Sequence, residues 1–135
     1  AREDGSLGIE KVYGMKFSSI NNFSGTLMYT AIISDNVDVI TAFSTDGLLQ
    51  KYDLVLLEDD KHFFPPYYMC PFLNMDTAKE YPELATALNE LGGAIDDYTM
   101  QGLNYEVVEK GRDRAEVARS FLIERGFVTA DDFKE

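Results

Sequence analysis

The chain has 135 residues, 45% of them hydrophobic, so its length fits one domain or parts of two lobes. Asp and Glu number 24 against 12 for Lys and Arg, and the formal net charge of -12 argues against binding to nucleic-acid phosphates or anionic lipid surfaces. The single cysteine, Cys70, excludes an internal disulfide framework, and no Cys/His cluster has the spacing of a zinc site.

The N-terminal half alternates predicted helices with predicted strands. Helices are predicted from a cap at Asp4 or Ser6 to Gly14, from Ser24 to Asp35 and Asn36, and from Thr45 to Tyr52. Strands are predicted at 16–20, 37–43 and 54–57, and the last is a continuous apolar run typical of a strand buried on both faces. This alternation predicts an α/β fold with parallel neighbours in the sheet.

After Pro65 and Pro66 the pattern becomes helical. One further extended segment is predicted at 67–73, and the residues beyond Thr77 read as helices. These helices run from Pro82 to Gly92 and Gly93, from Asp96 or Asp97 through Val107, and from Asp113 to Gly126. No apolar run approaches the roughly 20 residues of a membrane-spanning helix, and no signal peptide is visible.

Two aromatic-polar segments are candidates for a ligand site. FSTDG at 43–47 follows a predicted strand and begins a helix, which is where α/β proteins place ligands, although a simple Thr or Asp N-cap explains it equally well. HFFPPYY at 62–68 contains a rigid Pro-Pro step that holds rings at fixed angles, although a strand edge whose aromatics fill a core is the alternative. Tyr67 and Tyr68 must point to opposite faces of an extended chain.

The aromatic content favours recognition of a cation that has no N–H to donate. A quaternary ammonium is recognised by aromatic faces, each contributing about 0.5–2 kcal/mol, and 13% of the chain is Tyr or Phe. Many of those rings are expected to lie in the core. Glu58, Asp59 and Asp60 with His62 also invite a metal or acid/base interpretation, but a solvated turn accounts for them, and no phosphate-binding loop or nucleophile elbow is present.

Several segments together resemble one family of proteins. They are REDG at 2–5, KVYGMKF at 11–17, NVDVITAFSTDG at 36–47, YDLVLLEDDKHFFPPYY at 52–68, YPELATALNEL at 81–91 and AEVARSFLIERG at 115–126. They are similar to the substrate-binding proteins of glycine betaine, carnitine and choline ABC transporters. The resemblance spans essentially the whole chain, and FSTDG combined with EDDKHFFPPY is its most specific part.

The resemblance implies a type II periplasmic-binding-protein-like α/β fold, of which the chain looks like the C-terminal part only. Residues 1–66 would belong to the second lobe, 67–74 would form a crossover or hinge segment, and 75–135 would be helices packing on the first lobe. The family's closure on ligand is a hinge motion. The signal or lipoprotein sequence, or a fused permease, would lie upstream of this stretch.

The resemblance also implies roles for individual residues. Phe43 matches an aromatic cage position that is often Tyr in relatives, so its ring face is kept and its hydroxyl is lost. Tyr67 matches a second cage ring, and Arg2 matches a basic residue that pairs with the betaine carboxylate in some relatives. Thr45 and Asp46 are further candidates in the cleft. The remaining cage residues would come from the absent N-terminal part, so we expect little betaine affinity from this stretch alone.

The sequence therefore predicts a non-enzymatic solute-binding component of an osmoprotectant importer. It would work at the extracytoplasmic face of the membrane, with an ABC permease as its partner and with no cofactor, metal or nucleic acid. A binding protein retuned to another small zwitterion is one alternative, and a fragment of a hydrolytic enzyme that uses His62 and the acids at 58–60 is another. Exposed strand edges and helix faces further predict self-association.

Overall fold

Helices are the regular elements of the computed structural model, which describes residues 3–134. They are α1 (Ser6–Tyr13), α2 (Leu27–Ile33), α3 (Gly47–Lys51), α4 (Met75–Glu80), α5 (Pro82–Asn89), α6 (Asp97–Val108), α7 (Arg114–Glu124) and a 3-10 helix, Ala130–Phe133. In the part of the chain thus described, no helix combines the length and the apolar character that a membrane crossing requires.

The chain divides into two compact units. Unit 1 contains the residues up to Ile40 together with Leu56–Cys70, and unit 2 contains Thr41–Val55 together with the residues from Pro71 onward. The division at Cys70 and Pro71 falls inside the predicted crossover at 67–74. Residues 41–55, however, group with the C-terminal helices, whereas the sequence assigns all of 1–66 to one lobe.

Unit 1 contains α1 and α2. Helix α1 ends where predicted, because Gly14 adopts the left-handed conformation (φ 68°) that glycine tolerates without steric cost. Its N-cap is Gly5 and no side chain caps it, so neither Asp4 nor Ser6 is the cap. Helix α2 begins after Thr26 rather than at Ser24, and it buries Tyr29 and Ala31.

Unit 2 is a helical assembly in which α3 packs on α6, α6 packs on α7 and α4 packs on α5. Its buried side chains are Leu48 and Leu49 of α3, Gln101 of α6, and Val117 and Phe121 of α7. The buried pair on α7 is four residues apart and so lies on one face of that helix. A narrow apolar core between α3, α6 and α7 therefore holds the unit together.

The helix starts in unit 2 follow from local chemistry. The carboxylate of Asp96 accepts a hydrogen bond from the amide of Thr99 at 2.8 Å, and Asp113 accepts from the amides of Ala115 and Glu116 at 2.9 and 3.1 Å. Pro82 occupies the first turn of α5, where its missing N–H costs nothing. The three predicted helix starts are thereby confirmed.

The predicted strands are absent from residues 3–134. The segments 16–20, 37–43, 54–57 and 67–73 form neither a strand nor a bridge. The prediction that 54–57 is buried on both faces is wrong for this structure, since Val55 is 83% exposed. A strand exists only when a neighbouring segment pairs with its N–H and C=O groups, and no such neighbour lies among the described residues. The α/β sheet is consequently not observed in this part of the fold.

Candidate functional site

The FSTDG loop, residues 43–47, is held by the side chains of one helix. Gln101 Nε2 donates to the carbonyl oxygen of Ser44 at 2.5 Å, and Asn104 Nδ2 donates to the carbonyl oxygen of Thr45 at 2.8 Å. Gln101 is only 7% exposed and is the one buried polar residue among those described. Two successive loop carbonyls are thus satisfied by amides of α6, and the loop backbone has little freedom to move.

The same loop is closed by its own backbone. The amide of Asp46 donates to the carbonyl oxygen of Phe43 at 3.0 Å, and the carboxylate of Asp46 lies 3.4 Å from the amide nitrogen of Phe43. Asp46 occupies the N-cap position of α3, yet its side chain makes no cap hydrogen bond. The carboxylate therefore supports the turn at Phe43 rather than the helix that follows.

Gly47 brings α3 against the backbone of α6. A Cβ added at Gly47 would lie 2.6 Å from the nitrogen and 2.8 Å from the Cα of Tyr105. Both atoms are backbone atoms and cannot rotate away. Glycine is therefore required at the junction between the loop and α3.

Phe43 presents an accessible ring on this fixed loop. Its side chain is 64% exposed, although the apolar residues Leu48 and Leu49 a few positions later are buried. Thr45 and Asp46 are half-buried. The loop thus combines an immobilised backbone with an exposed aromatic side chain, an arrangement suited to binding and not needed for packing.

In unit 1, Asp59 organises the segment that leads to Tyr67. Its two carboxylate oxygens accept hydrogen bonds from the amides of Phe63 at 2.9 Å and Phe64 at 2.8 Å, and also from the hydroxyl of Tyr13. Lys61 Nζ donates to the carbonyl oxygen of Val12 at 2.8 Å. These contacts tie the start of HFFPPYY to the end of α1.

The rings of this segment are also packed locally. Phe63 and Phe64 meet edge to face, with ring centroids 4.9 Å apart, and Phe63 lies against Gly8 of α1. Tyr67 follows the Pro-Pro step and is 72% exposed. The segment 62–68 therefore resembles the FSTDG loop, because its start is anchored and the ring of Tyr67 is exposed.

The electrostatics of the Asp59 cluster follow from its hydrogen bonds. The hydroxyl of Tyr13 and then the amide of Phe64 lower the pKa of Asp59 below its ordinary value of 3.8, because they stabilise the ionised carboxylate. The same hydrogen bond raises the pKa of Tyr13 above 10.0, because the phenol must remain protonated to donate it. The cluster is held most firmly when Asp59 is ionised and Tyr13 is neutral.

We expect the stability of unit 1 to decline at both ends of the pH scale. A carboxyl whose pKa is lowered by folding contributes stability that is present above its ordinary value, 3.8, and is lost as the pH falls through the lowered pKa of Asp59. The raised pKa of Tyr13 gives stability that is present below 10.0 and is lost as the pH rises through it. Urea unfolding followed across pH checks this, and an Asp59→Ala variant with an unchanged acid limb would contradict it.

The acids at 58–60 do not converge with His62 on a metal site. Within residues 3–134, no group of three or more His, Cys, Asp or Glu side chains could hold a metal ion. His62 itself adopts a left-handed turn conformation (φ 50°), and its amide donates to the carbonyl oxygen of Asp59 at 3.0 Å. Asp59 therefore has a structural role in a turn.

A shallow depression in unit 2 is separate from the predicted site residues. It measures about 310 Å³ between α3, α6 and α7 and is lined by Gln50, Phe121 and Arg125 among others. None of the described site candidates lines it. Two aromatic rings, those of Tyr98 and Phe121, contribute to its walls, and the Arg125 guanidinium lies 5.5 Å from the centre of the Phe121 ring.

The predicted site residues fall into three places. Phe43, Thr45 and Asp46 share the FSTDG loop of unit 2, Tyr67 belongs to unit 1, and Arg2 lies outside the described residues. The sequence reasoning did not find the supporting side chains Gln101, Asn104 and Asp59. Two amides at an i, i+3 spacing on one helix face would have been the signal for the first two.

The fold and these contacts can now be set beside known proteins. Residues 1–124 match the family model described as the substrate binding domain of ABC-type glycine betaine transport systems. The chain therefore belongs to this family of substrate-binding domains, which confirms the resemblance seen in the sequence. Its fold is accordingly that of part of a periplasmic-binding protein.

Particular relatives sharpen the comparison. The carnitine transport binding protein OpuCC of Listeria monocytogenes is 40% identical over 119 residues, covering 88% of this chain and 39% of that protein. The ergothioneine transport permease/ergothioneine binding protein EgtU of Helicobacter pylori is 36% identical over 121 residues, covering 90% of this chain and 22% of that protein. The chain thus spans well under half of the length of these relatives.

Solved structures agree with the sequence relatives. A crystal structure described as a glycine betaine/carnitine/choline ABC transporter matches with a TM-score of 0.86 and 40% identity, over 93% of this chain and 46% of that chain. Apo YehZ from Escherichia coli matches with a TM-score of 0.78 and 26% identity, over 94% of this chain and 48% of that chain.

Proposed function

We propose that this chain is part of the solute-binding component of an ABC importer for quaternary-ammonium osmoprotectants such as glycine betaine, carnitine and choline. The protein binds its solute without turnover at the extracytoplasmic face of the membrane and delivers it to a permease. Family membership supports this proposal, as do relatives that are named for binding carnitine and glycine betaine.

The observation that carries the proposal is the exposed Phe43 ring on a loop whose backbone is fixed by α6. A trimethylammonium group carries its charge on methyl groups that donate no strong hydrogen bonds, so an aromatic face is its natural partner. Because the loop backbone is already fixed, ligand binding needs to order only the ring, which lowers the entropy cost. The net charge of -12 weakly favours the approach of a cation.

The other candidates have complementary parts in this proposal. Tyr67 is proposed as a second ring, on a segment of unit 1 whose start is anchored by Asp59. Thr45 and Asp46 lie beside Phe43 on the loop and offer polar groups to the ligand. Arg2 pairs with a carboxylate, so it serves betaine and carnitine and not choline, which has none.

We further propose that the complete binding site needs residues outside this chain. The relatives are more than twice as long as this chain. Val55 and the residues around Tyr67 are exposed, and a further segment that packs on them would bury them. The assignment of 1–66 to the second lobe, 67–74 to a crossover and 75–135 to helices on the first lobe stays a prediction.

The exposed apolar segments also lead us to propose self-association of the isolated chain. Tyr68, Met69 and Phe72 are exposed in the stretch of chain that follows the Pro-Pro step, and soluble monomers rarely leave large apolar surfaces open. Static light scattering is expected to give a mass above the 15.2 kDa of one chain. A monodisperse monomer at micromolar concentration would refute self-association and would leave the proposed ligand class untouched.

Removal of either ring is expected to weaken ligand binding. In the full-length protein that contains this chain, Phe43→Ala and Tyr67→Ala should each lower choline affinity about two- to thirty-fold, because one cation–π contact is lost. Phe43→Tyr should keep the affinity, since the ring face is retained. Isothermal titration calorimetry provides the measurement.

Matched controls make the ring experiment specific. Phe72→Ala and Tyr68→Ala remove rings that are still more exposed and that the proposal does not use, and they should leave the affinity unchanged. Equal losses from all four variants would mean that the rings act through solubility or folding and not through the ligand. That outcome would remove Phe43 and Tyr67 from the site.

A second candidate ligand class deserves the same titration because of one relative. The Helicobacter pylori protein is named for ergothioneine, and it is nearly as similar to this chain as the carnitine-binding relative is. Ergothioneine, like carnitine and glycine betaine, joins a trimethylammonium group to a carboxylate. If the site is adapted to another small zwitterion, we propose that this ligand is a bulkier betaine of this kind.

A further inference from the structure

One face of α6 carries the contacts that position the FSTDG loop. Gln101, Asn104 and Tyr105 are three and four residues apart, so they share one side of the helix. Gln101 and Asn104 donate to the carbonyl oxygens of Ser44 and Thr45. The backbone of Tyr105 lies against Gly47.

The hydrogen bonds of both amides go to backbone carbonyl oxygens of the loop and not to the ring that the proposed function places against the ligand. The Asp46 amide and carboxylate close the turn back to Phe43. Fixing the carbonyls at 44 and 45 restricts the backbone dihedrals next to Phe43. The direction of the Cα–Cβ bond of Phe43, from which the ring projects, is consequently restrained from α6.

We propose that Gln101 and Asn104 are positioning residues that hold the Phe43 ring in its binding orientation and thereby contribute to ligand affinity. The inference rests on the proposed function only in the last step, from ring orientation to affinity. Cation–π attraction requires the cation to lie over the ring face. A ring that samples many orientations therefore spends less time in the binding geometry. A purely structural role would hold α3 on α6 without affecting Phe43.

The first experiment tests ring orientation without any ligand. The chain contains no tryptophan, so Phe43→Trp introduces a single fluorescent reporter at the ring position. In that background Asn104→Leu removes the amide donor, keeps the number and branching of the side-chain heavy atoms and adds no charge. Time-resolved anisotropy should show greater fast motion of the reporter, and acrylamide quenching should increase.

Asn89→Leu is the matched control. Asn89 is an exposed residue at the end of α5 in the same unit, and the substitution is chemically identical. Its anisotropy and quenching should equal those of the Phe43→Trp parent. If Asn104→Leu also leaves the reporter unchanged while circular dichroism shows intact helices, the loop does not depend on this amide and the inference is overturned.

The second experiment joins orientation to affinity through a double-mutant cycle in the full-length protein. Asn104→Leu should weaken choline binding by part of the two- to thirty-fold effect expected for removing the ring, and it should have little further effect when Phe43 is already alanine. Equal losses in both backgrounds would overturn the inference, because the amide would then act independently of the ring. If the unaltered protein binds no quaternary ammonium, the proposed function fails, and the fluorescence experiment alone decides whether α6 orients the ring.

Discussion

Replacing Gly47 with alanine is expected to lower the free energy of unfolding of unit 2 by about 1–3 kcal/mol or more. The new Cβ would lie 2.6 Å from the nitrogen and 2.8 Å from the Cα of Tyr105, well inside the distance at which carbon and nitrogen atoms make contact. Because both atoms belong to the α6 backbone, α3 and α6 must separate, which loosens the contacts of Leu48 and Leu49 as well. Urea denaturation followed by far-ultraviolet circular dichroism measures the change.

Gly102→Ala is the matched control, because Gly102 lies in α6, the helix against which Gly47 packs. Its Cβ would have Gln50 Oε1 as nearest neighbour, at 3.9 Å, which is ordinary van der Waals distance. Since Gly102 lies inside α6, alanine should raise the stability by about 0.5–1 kcal/mol through reduced chain entropy. Equal effects of the two alanines, in sign and size, would show that the close approach at Gly47 does not exist.

Replacing Asp59 with alanine is expected to release the start of the HFFPPYY segment. The amides of Phe63 and Phe64 and the hydroxyl of Tyr13 lose their common acceptor, while the packing of these residues is otherwise unaltered. The melting temperature should fall by several degrees, and the amide protons of Phe63 and Phe64 should exchange markedly faster with solvent. Hydrogen exchange followed by nuclear magnetic resonance resolves these two amides individually.

Asp60→Ala controls for the loss of a negative charge. Asp60 is the exposed neighbour of Asp59, and the substitution changes the net charge by the same amount. It should leave both amide exchange rates near their original values. If Asp59→Ala and Asp60→Ala accelerate exchange equally, the effect is one of charge on a solvated turn, and Asp59 does not organise the segment.

The helices were predictable because their ends depend on adjacent residues. Asp96 and Asp113 cap the helices that follow them, Pro82 opens its helix and Gly14 ends α1, each through contacts within a few positions of the chain. The strands depend on partners instead. The run at 54–57 has the composition of a buried strand, yet without a paired neighbour among the described residues it is exposed.

The sequence singled out the residues of the candidate loop but not the residues that support it. Aromatic and small polar residues at 43–47 indicated a binding loop, and that role stays a prediction. The supporting amides were missed because Gln101 and Asn104 lie 57 and 59 residues from the carbonyls that they bind. An amide donor in a helix carries no local sign of its acceptor, so such contacts emerge only when the chain is folded.

The presence of a quaternary-ammonium site is tested most directly by one titration series on the full-length protein. Choline, carnitine and glycine betaine are titrated calorimetrically beside 3,3-dimethylbutanol, which has the shape of choline without its charge, and beside unrelated zwitterions. The account predicts that at least one quaternary ammonium compound binds and that the neutral isostere binds far more weakly. Absence of binding by all the quaternary ammonium compounds, or equal binding of choline and its neutral isostere, would contradict it.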